Sequence, residues 1–140
     1  MIEKINSATI VEEVFSQFKA YNEALDAGNA EALNRFFWES SSTVRFGPTE
    51  TLFGIQSIVE FRLKQWKAPA SSRKVIRVVV TTLGDDVATT NALFRGADGK
   101  TNRQSQTWAR FSEGWKIVAA HVSASPMDTT TTWTGASLSD

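Results

Sequence analysis

RQSQTWARFSEGWKIVAAHVS, residues 103–123, is the stretch whose reading decides the fold. Its two arms alternate around Glu113-Gly114, a two-residue turn in which glycine tolerates positive φ. The pattern predicts a β-hairpin. With Glu113-Gly114 as the whole loop, Trp108 faces Ala119, Gln106 faces His121 and Gln104 sits beside Ser123. Gln104, Gln106, Trp108, Ile117, Ala119 and His121 then share one face. Ser105, Thr107, Ala109, Phe111, Val118, Ala120 and Val122 share the other. A turn one residue longer pairs His121 with Ser105 instead, since a one-residue slip turns side chains to the opposite face.

His121 is the sole histidine of the chain, and it ends the apolar run Ile117-Val118-Ala119-Ala120. It is either a core histidine satisfied by a neighbour or a proton carrier, the side chain whose ordinary pKa lies nearest neutrality. A neighbouring amide such as Gln106 would fix its tautomer.

Upstream of the hairpin, residues 75–82 are rich in β-branched side chains. Gly84-Asp85-Asp86 turns them into a second strand over 87–95, and a loop at 96–100 leads on. Before these strands the pattern is helical. Thr9 and Glu12 form a capping-box pair, and Val11, Val14, Phe15, Phe18, Tyr21 and Leu25 make one apolar stripe that ends at Gly28. Tyr21 lies on that stripe, as a core aromatic or as a hydroxyl donor aimed into a pocket. Asn29 caps a short helix over 30–38. A strand at 43–46 places Arg45 on the face opposite Val44 and Phe46, and a short return strand at 50–53 follows Gly47-Pro48. A third helix over 57–67 carries Ile58, Phe61, Gln65 and Trp66, with Arg62 on the same stripe. A solvated arginine lies on the opposite face, so Arg62 either snorkels and pairs with an acid or clamps an anion with its planar fork. Helices first and antiparallel strands afterwards predict an α+β domain. It occupies residues 1–125, and 126–140 form a Ser/Thr-rich tail in which Trp133 alone has the area to dock.

Composition narrows the function classes. At 140 residues this is one domain. Fifteen Lys and Arg balance fifteen Asp and Glu, with no basic block, so nucleic-acid binding is not expected. No apolar run reaches the ~18–20 residues of a membrane span. The first residues do not read as a signal peptide. The absence of cysteine fits a cytoplasmic setting, and with one histidine it argues against a zinc site. No cofactor or metal is expected. The second hairpin face is also apolar, so a homodimer through the outer sheet face is expected.

Residues 103–108 (RQSQTW) and 114–123 (GWKIVAAHVS) resemble the AtzH-like family, small proteins of the nuclear transport factor 2-like, ketosteroid-isomerase-like cone fold. Further matches are TVRFG at 43–47 with Glu50 and Gly54, Phe61-Arg62, TTLG at 81–84, and Tyr21 with Ala24-Leu25. The resemblance covers about residues 10 to 124. It implies three helices on a curved, mainly antiparallel sheet, with the first and third over its concave face. It also implies a role in breaking down oxalurate-like and cyanurate-derived ureido acids alongside amidases. The family pattern Phe-Arg-x-x-Arg is interrupted here, because Gln65 stands where the second Arg belongs. That departure points to a different or less charged substrate.

Tyr21, Arg45, Glu50, Arg62, Gln106, Trp108 and His121 are the candidates for one cavity. Polar groups on apolar faces satisfy one another or a ligand when they line a pocket. Arg45 and Arg62 are expected to hold carboxylates, with Gln106 and Trp108 also binding substrate. His121 or Glu50 is expected to move the proton. Tyr21 and Gln106 are expected to donate to a developing oxyanion. The reading is a metal-independent amidohydrolase or decarboxylase acting on a small anionic ureido or amide acid. The alternatives are a non-catalytic binding or amidase-accessory protein, or a proton-transfer isomerase or dehydratase.

Overall fold

The structure is a computed structural model that describes residues 1–125; the tail and Trp133 lie outside the described residues. Helices α1 (Ala8–Asp26), α2 (Ala30–Arg35) and α3 (Ile55–Lys64) pack on one six-stranded sheet. The strands are β1 (Val44–Phe46), β2 (Thr51–Phe53), β3 (Lys74–Leu83), β4 (Val87–Arg95), β5 (Thr101–Phe111) and β6 (Gly114–Ser125). They run in the order β2-β1-β6-β5-β4-β3. Every pairing is antiparallel except β1 with β6. The α+β architecture read from the sequence is therefore what the chain adopts. No helix among the described residues is long and apolar enough to cross a membrane.

Helix α1 follows the apolar stripe. Ile10, Val14, Phe18, Tyr21, Asn22 and Leu25 are its buried residues. It starts earlier than the Thr9 signal suggests: Ser7 is the N-cap, without a side-chain capping bond, so Thr9 and Glu12 lie inside the helix. Its end is as read. Gly28 takes φ 72°, the Gly28 N–H donates to Leu25 O and the Asn29 N–H to Ala24 O, which is a Schellman stop. Asn29 then caps α2 by accepting from the Ala32 N–H at 3.1 Å. Glu13 of α1 accepts from Trp115 Nε1 at 3.0 Å, which ties the helix to the hairpin.

The β5–β6 hairpin corrects the expected register. Phe111 pairs with Gly114, so the turn is Ser112-Glu113, one residue earlier than read. Trp108 pairs with Ile117 while Thr107 pairs with Ala119, which leaves Val118 as an extra residue in β6. A bulge of this kind reverses the alternation beyond it. Gln106 therefore faces Ala120, and His121 faces Ser105. Ile117 and Ala120 are buried on the inner face, whereas His121 is exposed on the outer one. The slip places an apolar pair, Trp108 and Ile117, under the helices and leaves the imidazole in water.

Candidate functional site

One row of paired residues crosses the inner face. Leu52, Arg45, Ala120, Gln106, Thr90 and Val80 stand on neighbouring strands. Arg45 is there because Val44 and Phe46, its neighbours in a three-residue strand, take the outer face. Ala120, the smallest side chain of the row, separates Arg45 from Gln106. Arg45 is only 5% exposed. Its Nη1 donates to Oε1 of Glu50, which sits in the turn between β1 and β2 and also accepts from the Thr49 hydroxyl.

Above this row α1 and α3 bring Tyr21 and Arg62 together. Arg62 is 3% exposed and its Nη2 donates to the Tyr21 hydroxyl at 3.0 Å. The guanidinium also lies over the rings of Phe37 and Trp66, at 5.5 and 5.4 Å. Arg62 Nε and Nη1 and Arg45 Nε have no hydrogen-bond partner among the described residues. Burial pushes the Arg62 pKa down; Tyr21 opposes that shift and Arg45, a second cation, adds to it. Burial alone would raise the Glu50 pKa, but the hydrogen bonds from Arg45 and Thr49 bring it below the usual carboxylate range. Glu50 is thus held as an anion and is a weak base at neutral pH.

Arg45 opens onto a cleft of about 450 Å³. Leu25 of α1, the segment after α3 through Trp66, Lys67, Pro69 and Arg73, the β4–β5 turn at Gly96, Ala97 and Asp98, and Asn102, Gln104 and Val122 wall it. That volume suits a small molecule. Gln104 and Arg73 in this wall belong to a polar chain that sequence reasoning missed. Gln104 and Asn22 exchange two amide hydrogen bonds, at 3.0 and 3.3 Å. Arg73 donates from Nη2 to Asn22 Oδ1 and from Nε to Asp26, and lies 4.2 Å over the Phe94 ring. Asn22 had a signal: it stands four residues after Phe18 and three before Leu25, on the buried stripe. Arg73 had none, because it sits in an irregular linker.

Tyr21, Arg45, Glu50 and Arg62 form one cluster, with the cleft beside it. Three expectations change. Trp108 is fully buried in the main core, with its ring edge-on to Phe36 and its Nε1 donating to Thr90 Oγ1. It does not wall the cleft. Gln106 accepts from the same Thr90 hydroxyl at 3.2 Å, in the floor behind Arg45. His121 lies across the sheet from the cluster, edge-on to Phe46 at 5.8 Å, because the Val118 bulge turns it outward. Gln65 ends α3 and is exposed.

Helices over a curved sheet, with a polar cluster between them, define an NTF2-like cone-fold protein. An NTF2-like protein of unknown function from Pseudomonas putida KT2440 shares this fold at 15% identity, over 85% of this chain and 89% of that one, with a TM-score of 0.70. The chain belongs to the AtzH-like family, which it matches over residues 3–128. A DUF3225-family protein of unknown function from Pectobacterium atrosepticum SCRI1043 is similar at 37% identity, over 89% of this chain and 99% of that one, with a TM-score of 0.83. A cystatin-like fold protein from Burkholderia xenovorans LB400 is similar at 42% identity, over 86% and 95%, with a TM-score of 0.82. No curated protein matches the chain significantly.

Proposed function

We propose that the protein is an enzyme that hydrolyses or decarboxylates a small anionic ureido or amide acid, and that Tyr21, Arg45 and Arg62 are the groups that meet it. One observation carries this reading. Of two buried guanidiniums, Arg45 is paired with one carboxylate and Arg62 with a neutral hydroxyl alone, and three of their nitrogens have no acceptor among the described residues. A buried cation without enough partners costs several kcal/mol. A ligand carboxylate offers the missing acceptors in a matching planar geometry.

The chemistry follows from what each group can give. Arg45 and Arg62 orient the ligand. Tyr21 accepts a hydrogen bond from Arg62, so its own O–H remains to donate. In a decarboxylation the N–C bond to the leaving carboxylate breaks, and its electron pair stays on nitrogen. That nitrogen takes the Tyr21 proton, and the Arg62 N–H stabilises the oxygen until solvent reprotonates it. An isomerase of the carboxylate-base kind is less well supported, because the nearby carboxylate, Glu50, is held in an ion pair.

The test is turnover of oxalurate, N-carboxylated ureas and a neutral ureide, followed as released carbon dioxide and ammonia. Turnover of the acidic compounds is expected, with loss of about a hundredfold or more in Arg45→Ala and none in His121→Ala. A thermal shift with the acidic compounds but no product would instead establish a binding or accessory role. Equal turnover in Arg45→Ala would remove the clamp from the mechanism.

We also propose that two copies associate through the outer sheet face. Val79 and Val87 are 44% and 41% exposed there, with Phe53 at 65% on the edge strand. Light scattering at micromolar concentration is expected to give twice the chain mass; the mass of a single chain would exclude the dimer.

A further inference from the structure

We infer that Glu50, seated by Gly47, sets the charge of the ligand that the cluster accepts, and selects a single carboxylate over two. This rests on the anion-binding reading above. Gly47 does not have the positive φ that would require glycine for the backbone. Its requirement is space. A Cβ built there would lie 1.8 Å from Glu50 Oε1 and 2.3 Å from Cδ. The Gly47 N–H donates to Glu50 O at 2.9 Å, which closes the turn. The Glu50 carboxylate thus fits into the room that the missing side chain leaves, with one oxygen on Arg45 and the other on the Thr49 hydroxyl.

The position matters because Glu50 occupies part of the Arg45 fork, where a ligand oxygen would otherwise bind. Arg62 senses Glu50 as well as Arg45. Two cations and one fixed carboxylate leave a single positive charge to be matched. The cleft mouth does not change that balance: Arg73 is neutralised by Asp26, and Lys67 faces the same cleft as Asp98. A second carboxylate on a ligand would meet Glu50 at close range, and like charges so placed reject a partner. Gly47 is a positioning residue in this scheme, because it touches no ligand and acts through Glu50.

The experiment uses oxamate and oxalate, which match in size and differ by one charge, titrated calorimetrically into the full chain and its Glu50→Gln and Gly47→Ala variants. The wild type is expected to bind oxamate more tightly. Glu50→Gln is expected to move the oxalate-to-oxamate affinity ratio roughly tenfold or more towards oxalate, the scale of one close charge contact. Gly47→Ala is expected to move it in the same direction by a smaller factor, since the methyl pushes the carboxylate off Arg45 without removing its charge. A merely structural role would weaken both ligands alike and leave the ratio unchanged. Wild-type protein that binds neither anion would overturn the anion-site reading itself. Binding with an unchanged ratio in both variants would overturn this inference and leave that reading standing. A shifted ratio in Glu50→Gln alone would overturn the role of Gly47.

Discussion

Arg62→Met is expected to bind acidic ligands about a hundredfold or more weakly and yet to melt at a higher temperature. The first half follows from the loss of a desolvated charged partner, which costs a complex roughly 2–5 kcal/mol. The second half follows from the guanidinium's surroundings. It is 3% exposed, bonded only to the Tyr21 hydroxyl, and has two nitrogens without an acceptor among the described residues. Replacing a buried charge by an apolar side chain of similar volume is commonly neutral or stabilising by about 1–4 kcal/mol. Two offsetting losses apply: the cation–π contacts with Phe37 and Trp66, and the hydrogen bond to Tyr21. The balance is a gain of about 1 kcal/mol, or roughly 4 °C for a domain of this size. Thermal melts and calorimetric titration read the two effects separately. A fall in melting temperature would show that Arg62 holds the fold together rather than waiting for a ligand.

The opposite pattern is expected of Trp108. Truncation to alanine is expected to cost about 3–5 kcal/mol, the range for deleting a large buried aromatic. That corresponds to roughly 10–20 °C in melting temperature. The ring has no exposure, meets Phe36 edge-on, and donates from Nε1 to the buried Thr90 hydroxyl. The cavity would open between α2 and the hairpin, where little can collapse to fill it. Trp108→Phe is expected to restore most of the loss, because ring packing dominates over one hydrogen bond. If Trp108→Ala melted like the wild type but lost ligand affinity, the residue would be part of the binding surface after all. Melting curves together with calorimetric titration of an acidic ligand distinguish the two.

These two residues show what was legible. Arg62 could be placed from sequence because helical periodicity is regular: a charged residue four positions after Ile58 and one after Phe61 has to face inward. Arg45 was legible only through the family resemblance: alternation sets it opposite the apolar Val44 and Phe46, and here it is the arginine, not the apolar pair, that faces inward. Strand alternation gave less at the hairpin. Nothing in KIVAAHV marks Val118 as the extra residue, since an alanine on either face is physically acceptable. The face of every residue beyond it therefore came out reversed, including His121. Trp108 stayed on the correct face because it precedes the bulge, but facing inward does not distinguish a cleft wall from a core. Arg73 was illegible for another reason. Its position depends on Asp26 and Asn22, far along the chain, and on an irregular linker that has no period to read.

The parallel pairing of β1 with β6 has a consequence for the order in which the molecule is made. Val44, Arg45 and Phe46 pair with Ala119, Ala120 and His121, from the other end of the described chain. During synthesis the N-terminal helices and the β1–β2 ribbon leave the ribosome long before that partner strand exists. Contacts between such distant segments close large loops and form late. Tyr21 and Arg62 can meet through local helix packing, but Arg45 cannot take its place until the last strand docks. In an unfinished chain the Tyr21–Arg62 pair would lack the neighbouring Arg45–Glu50 pair in its final place. The buried charge cluster is therefore among the last parts of the described chain to be completed.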